Sequence, residues 1–167
     1  MKSSVQGAAH VFGDNLDTDQ IYPGKYLELA REEDIKRHAM EGADPDFVKN
    51  FNAGDIIVGG TNFGCGSSRE HAIITLKAIG TSAILAESFA RIFYRNGINL
   101  GIPLLVCPGI KSAIVKGDVL EIDLEKGSIS NRTQKTELTF QPVSDYVKEI
   151  LENGGIKALV RKQLSSR

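Results

Sequence analysis

Short apolar runs, broken by glycine and polar turns, set the rhythm of this chain. Ser4 to Phe12 carries Val5, Ala8, Ala9, Val11 and Phe12 and predicts a first strand. Asp55 to Gly60 (DIIVGG) is rich in β-branched residues and predicts a buried strand. Further on, Ala72, Ile73, Leu76 and Ile79 fall on one face of a helix that starts near Ser67 or Ser68 and is closed by Gly80. Ser82 to Ala86 is the next apolar strand. A strand, a helix and a strand in this order predict a βαβ unit with parallel strands and a right-handed crossover. Ser88 to Asn96 predicts a second helix capped by Ser88, and Pro103 to Val106 a third buried strand.

The remaining segments follow other periods. Gly13 to Gln20 is polar and full of residues whose side chains make turns. Leu29 to Met40 predicts a charged helix broken at Gly42 to Pro45, and Asp46 to Phe51 a short helical turn. Beyond Gly117 the pattern alternates. Val119 to Leu124 and Thr136 to Phe140, with turn signals at Lys126-Gly127 and Ser130-Asn131, predict an antiparallel β region. Ser144 to Glu152 predicts a last helix ending at Asn153-Gly154-Gly155. The basic tail, Ile156 to Arg167, reads as solvated chain, with docking of a partner as the alternative. Together these elements predict an α/β fold, a parallel βαβ core with an additional antiparallel β region, in one domain over residues 1–167.

Composition narrows the function. The chain has 167 residues, 41% hydrophobic and 25% charged, as ordinary globular domains do. A formal net charge of -1 gives no electrostatic case for a nucleic-acid or membrane partner. No run of ~18 apolar residues is present to span a bilayer. Met1-Lys2-Ser3-Ser4 lacks the apolar core of a signal peptide, which predicts a cytoplasmic protein. Two cysteines, Cys65 and Cys107, are too few to ligate an iron–sulfur cluster. His10, His38 and His71 show no zinc spacing with them, so no metal is predicted on this chain. Cys65 reads as a small packed residue and Cys107 as core, without a disulfide.

The candidate chemistry sits in Gly64-Cys65-Gly66-Ser67-Ser68-Arg69-Glu70-His71-Ala72, between the Asp55 strand and the helix after it. Glycines at 64 and 66 let backbone approach a ligand closely. A helix start adds unpaired N–H groups and partial positive charge, which suits an anion such as a carboxylate. Ser67-x-x-Glu70 is also a capping box, which would be purely structural. Two serines where a cap needs one, and Arg69 placed against the helix dipole, point beyond a cap. The segment is not a phosphate loop, a dinucleotide fingerprint or a G-x-S-x-G elbow.

Residues 60–72 (GTNFGCGSSREHA) resemble the signature of the aconitase swivel-domain family. Three further segments resemble that family in the same order: Asp14 to Ile21 (DNLDTDQI), Pro23 to Leu27 (PGKYL) and Ser88 to Asn96 (SFARIFYRN). The free-standing members of the family are small subunits of heteromeric hydro-lyases. They move a hydroxyl between adjacent carbons of a malate derivative by dehydration and rehydration. The resemblance implies a swivelling β/β/α domain that acts only with a large subunit. It places the 4Fe–4S cluster, the Lewis acid for the leaving hydroxyl, on that partner and no cofactor on this chain. The expected assembly is a heterodimer or heterotetramer.

By the same resemblance Ser67 is the base, its alkoxide held by nearby donors and positive charge. Arg69 is the carboxylate clamp and Ser68 a further donor to the substrate. Gly64 and Gly66 support the loop. Asp19 matches an acidic residue near the family's active site, with a turn-capping role as the alternative. Lys25, Tyr26, Leu27, Glu28 and Leu29 form the turn that faces the variable part of the substrate. Leu27 and Leu29 suit a branched aliphatic group, and Glu28 would repel an extra carboxylate. That favours 3-isopropylmalate, in leucine biosynthesis, over homoaconitate, with a methylated malate as the alternative. His71 is expected to make a structural hydrogen bond. Arg91 and Arg95 reach either the site or the partner, or else form surface salt bridges. The segment Asp14 to Leu29 is expected to be mobile without the partner.

Two other classes of function compete. A stand-alone anion-binding module would keep the loop and lose catalysis, but binding alone would not require Ser67, Ser68, Arg69 and Asp19 together. A serine-nucleophile enzyme would need a histidine base at Ser67, and His71 points along the helix instead.

Overall fold

The computed structural model describes residues 4–166. Apart from Ser4, the N-terminal stretch on which the signal-peptide reading rests lies outside them. One mixed seven-stranded sheet runs through the molecule in the order β4-β3-β2-β1-β5-β6-β7. Its parallel half comprises β1 (Ser4–Val11), β2 (Ile56–Gly59), β3 (Ala83–Ala86) and β4 (Leu104–Val106). Its antiparallel half comprises β5 (Val119–Asp123), β6 (Ser128–Asn131) and β7 (Thr136–Thr139). β1 belongs to both halves. Ser4 to Ala8 pair antiparallel with β5, and Ala9 to Val11 pair parallel with β2.

β2, β3 and β4 are apolar throughout because both faces are covered, whereas β1 carries Ser4, Gln6 and His10. Successive residues still alternate. Ile57, Ile84 and Leu104 enter one core, whereas Ile56, Val58, Leu85 and Leu105 enter the other. The first core lies beneath α1 (Thr18–Ile21), α2 (Glu32–Ile35), α3 (Phe47–Asn50), α4 (Glu70–Ala78) and α5 (Arg91–Asn99). The second is closed by α6 (Ile110–Ala113) and the antiparallel strands. α7 (Asp145–Glu152) and α8 (Ile156–Ser165) pack beside α5 and return Ile150, Leu151 and Leu159 to the first core.

Most strands and the βαβ unit lie where the apolar runs predict them. The exceptions have local causes. The predicted helix from Leu29 to Met40 is only α2 followed by one turn of 3-10 helix, Lys36–His38. Met40 takes a left-handed conformation, with φ of 58°, so that its amide reaches the Ile21 carbonyl at 2.7 Å. Gly13 to Gln20 is not all turn, since Asp17 and Gln20 form a capping box that starts α1. Ser130-Asn131 is strand rather than turn: Asn131 is buried in β6 and its amide group donates to Asp118. The tail is helical because Leu159 finds a buried seat.

Candidate functional site

The loop from Gly60 to Arg69 leaves the end of β2 and is tied to its neighbours by backbone hydrogen bonds. On one side Gly64 N donates to Leu16 O at 2.7 Å and Thr18 N to Cys65 O at 2.9 Å. On the other, Phe63 N donates to Ser88 O and Ala90 N to Phe63 O, both at 3.0 Å. Asp14 accepts from the Thr61 amide, and Lys111 beside it helps hold its carboxyl below the usual carboxylate range. The glycines are required by geometry. Gly64 has φ of +84°, and a Cβ there would lie 2.1 Å from the Phe93 ring. Gly66 has φ of +98°, and a Cβ there would meet only ordinary van der Waals contact, 3.4 Å from the Thr18 hydroxyl and 3.6 Å from the Asp17 Cβ.

This bracing presents Ser67 and Ser68 at the surface just before α4. The Ser67 hydroxyl lies 3.3 Å from that of Thr18, a residue buried at the start of α1. Neither serine caps a helix. α4 begins with Arg69 as its N-cap and no side-chain cap bond, so the capping box does not form. Ser88 also fails to cap: α5 starts at Arg91, and the Ser88 hydroxyl accepts from the Asn62 amide at 2.8 Å. None of the three serines is spent on a helix end.

Arg69 extends from the N-cap toward α1. Its Nη1 donates to Asp19 Oδ1 at 2.6 Å and to the Tyr22 carbonyl at 3.3 Å. The same Asp19 oxygen accepts from Gly24 N at 2.8 Å. One Asp19 oxygen therefore joins the turn at Gly24 to the Arg69 guanidinium. The Arg69 guanidinium and then the Gly24 amide hold its carboxyl below the usual range.

Gly24 opens the turn predicted to face the substrate, which is one turn of 3-10 helix, Gly24–Tyr26, running on to Leu29. The five residues divide. Tyr26 and Leu29 pack against the first core, while Lys25, Leu27 and Glu28 are exposed. The Lys25 ammonium lies 5.2 Å from the Tyr26 ring centroid. His71 holds the far end of the turn, with Nε2 3.1 Å from the Leu29 carbonyl. Its Nε2 is thus engaged away from the glycine loop, and among the described residues no histidine hydrogen-bonds Ser67, whose partner is Thr18.

Ser67, Gly64 and Gly66 share an open cleft of about 700 Å³ with Asn62, Ile92, Tyr94, Arg91 and Arg95 of α5. Among the described residues neither Arg91 nor Arg95 forms a salt bridge, so they add positive charge to the cleft wall. Sequence reasoning passed over Thr18 and Asp14. The D-x-x-x-T-D spacing was the signal for both, since the loop hangs from that segment.

Among the described residues no group of three or more His, Cys, Asp or Glu is placed to hold an ion. Cys107 is buried, its thiol bonds to the Thr139 carbonyl, and burial pushes its pKa up to about 11, which opposes the thiolate a metal would need. No helix among the described residues is long and apolar enough to cross a membrane.

A parallel half-sheet that offers a braced Gly-x-Gly-Ser-Ser-Arg loop to an open, cationic cleft defines a class of protein: the chain belongs to the aconitase C-terminal domain family, whose model matches residues 3–108. Its relatives are more particular. It is 50% identical over 163 residues, 98% of this chain and 96% of the other, to the 3-isopropylmalate dehydratase small subunit 1 of Methanopyrus kandleri. It is 50% identical over 165 residues, 99% and 98% of the two chains, to the isopropylmalate/citramalate isomerase small subunit of Methanocaldococcus jannaschii. The crystal structure of a 3-isopropylmalate dehydratase from the latter organism superposes with a TM-score of 0.92 at 42% identity, covering 96% of this chain and 95% of that one.

Proposed function

We propose that this chain is the small subunit of a heteromeric hydro-lyase that interconverts 2-isopropylmalate and 3-isopropylmalate by dehydration and rehydration, in cytoplasmic leucine biosynthesis. The observation that carries this reading is 50% identity, over nearly the whole length, to a chain of that name. The braced loop and the cationic cleft supply the chemistry.

Ser67 takes the proton from the carbon beside a substrate carboxylate. A serine hydroxyl is a weak base in water. Its alkoxide becomes accessible only where donors and cations replace solvent. Thr18 Oγ1 is one such donor at 3.3 Å, and the exposed position of Ser67 calls for a partner surface to shut the cleft. Ser68 donates to the substrate. Arg69 clamps a carboxylate through Nε and Nη2, with Nη1 already engaged by Asp19 and Tyr22. On the turn, exposed Leu27 gives apolar contact to the isopropyl group, and Glu28 disfavours a third carboxylate. Removal of a hydroxyl calls for a Lewis acid, and among the described residues no group of three or more His, Cys, Asp or Glu is placed to hold one. We assign a 4Fe–4S cluster to the large subunit.

The test mixes the chain anaerobically with a cluster-loaded large subunit from the same genome and follows the unsaturated acid formed from 3-isopropylmalate. Activity that needs both chains and vanishes in Ser67→Ala supports the subunit and its base together. A complex inactive on 3-isopropylmalate but active on citramalate shifts the substrate. The absence of any complex removes the reading.

A further inference from the structure

Three side chains outside the cleft converge on the turn that begins at Gly24. Tyr26 is held at three points. Its hydroxyl donates to Glu41 Oε1 at 2.8 Å, its ring stacks on His38 at 3.6 Å between centroids with 13° between planes, and its carbonyl accepts from the Tyr22 hydroxyl at 2.7 Å. Glu41 is fixed in turn by His38, whose Nδ1 lies 2.5 Å from Oε2. A triangle of contacts thus joins Tyr26, His38 and Glu41. It adds to ties at both ends of the turn, Gly24 through Asp19 and Leu29 through His71.

Those end ties lead to one place. Asp19 also grips Arg69, and a Cβ on Gly24 would lie 3.1 Å from Arg69 Nη2. His71 is two residues beyond Arg69 and stacks on Tyr22, with centroids 5.3 Å apart. The start and end of the turn are therefore fixed to the element that carries the guanidinium. What remains adjustable is the height of its middle, where Leu27 and Glu28 are exposed. Tyr26 precedes them directly, so its hydroxyl and ring set that height.

We propose that His38 and Glu41 are specificity-determining positioning residues: acting through Tyr26 without touching substrate, they hold Leu27 and Glu28 at a fixed distance from the Arg69 guanidinium and so set the length of aliphatic side chain the enzyme accepts. The proposal rests on the reading above that this turn faces the variable part of the substrate. Loosening the brace lets the turn move away from the isopropyl group. A shorter acid makes little use of that contact and loses little. One or two methylenes are worth only about 10- to 200-fold in such pockets, so a shift of a fraction of that is readable.

The experiment uses the reconstituted two-subunit enzyme with 3-isopropylmalate and citramalate, comparing wild type, Glu41→Ala, Glu41→Gln and Tyr26→Phe. Glu41→Ala and Tyr26→Phe are expected to raise KM for 3-isopropylmalate about 5-fold with kcat nearly unchanged, as loss of one hydrogen bond implies. The ratio of kcat/KM for 3-isopropylmalate to that for citramalate should fall by a similar factor. Glu41→Gln keeps an acceptor for the Tyr26 hydroxyl and should restore the ratio. A merely structural role would lower both substrates together, and that result, or an unchanged ratio, overturns the proposal. A variant that fails to fold is covered by Tyr26→Phe, which keeps the ring stack. A wild-type complex that turns over neither acid instead overturns the functional reading, and the brace with it.

Discussion

The hydroxyls of Thr18 and Ser67 meet at 3.3 Å across 49 residues of sequence. The contact is possible because Thr18 N is already bonded to Cys65 O, which brings α1 against the glycine loop. Thr18 is buried whereas Ser67 is exposed, so the pair gives the hydroxyl proposed as the base one fixed neighbour on the protein side. Thr18→Val keeps the shape and removes the donor. In the two-subunit enzyme kcat should fall about 5-fold or more with KM little changed, since the bond matters most when Ser67 carries charge. An unaltered kcat would show that Thr18 only packs.

Asp19 sets an acid limit. Its carboxyl is held below the ordinary value of 3.8 by Arg69 and by the Gly24 amide. A depressed carboxyl adds stability above its unfolded pKa and loses it as pH falls through its folded pKa. The difference in urea midpoint between wild type and Asp19→Asn should therefore be present at neutral pH and vanish between about pH 5 and pH 2. A difference that persists at the acid end would assign the effect to another group.

The two loop glycines should separate in thermal denaturation. Gly66→Ala meets only the left-handed backbone penalty of about 1 kcal/mol, a drop of about 3 °C in a domain of this size. Gly64→Ala adds collision with the buried Phe93 ring, and should cost more than about 3 kcal/mol or leave the chain insoluble. Equal shifts in the two variants would contradict the close packing of the loop on α5.

Hydrogen exchange on the isolated chain should divide the segment from Asp14 to Leu29. The amides of Thr18 and Tyr22 are bonded to Cys65 O and Thr18 O in a buried setting and should be protected. Those of Lys25 and Glu28, on the exposed face of the turn, should exchange rapidly and slow when the large subunit binds. Mobility of the whole segment would instead show rapid exchange at Thr18 as well.

The sequence was most legible where burial is complete. β2, β3 and β4 are short apolar runs rich in β-branched and aliphatic residues and bounded by turns, as buried strands are. The loop was legible through its glycines and serines. What composition could not reveal was where each side chain spends its hydrogen bonds. Ser67 and Ser88 have the residue type and spacing of caps, yet each is drawn to a tertiary partner, Thr18 and the Asn62 amide. The charged stretch after Leu29 has helical composition. It breaks because His71 fixes its first carbonyl and Met40 must turn to reach Ile21. The C-terminal tail was read by charge alone, although Leu159 and its buried seat decide its form.

The double membership of β1 bears on how the chain is made. Ser4 to Ala8 are made before every other strand of the sheet, yet among the described residues their strand partner is β5, which begins at Val119. A nascent chain that has just completed Pro108 holds the whole Gly60 to Arg69 loop but exposes an open strand edge from Ser4 to Ala8, the kind of edge on which chains add to one another. The antiparallel hairpins thus serve as the seal of the molecule, and a truncation that spares the site should be lost to aggregation rather than to missing chemistry.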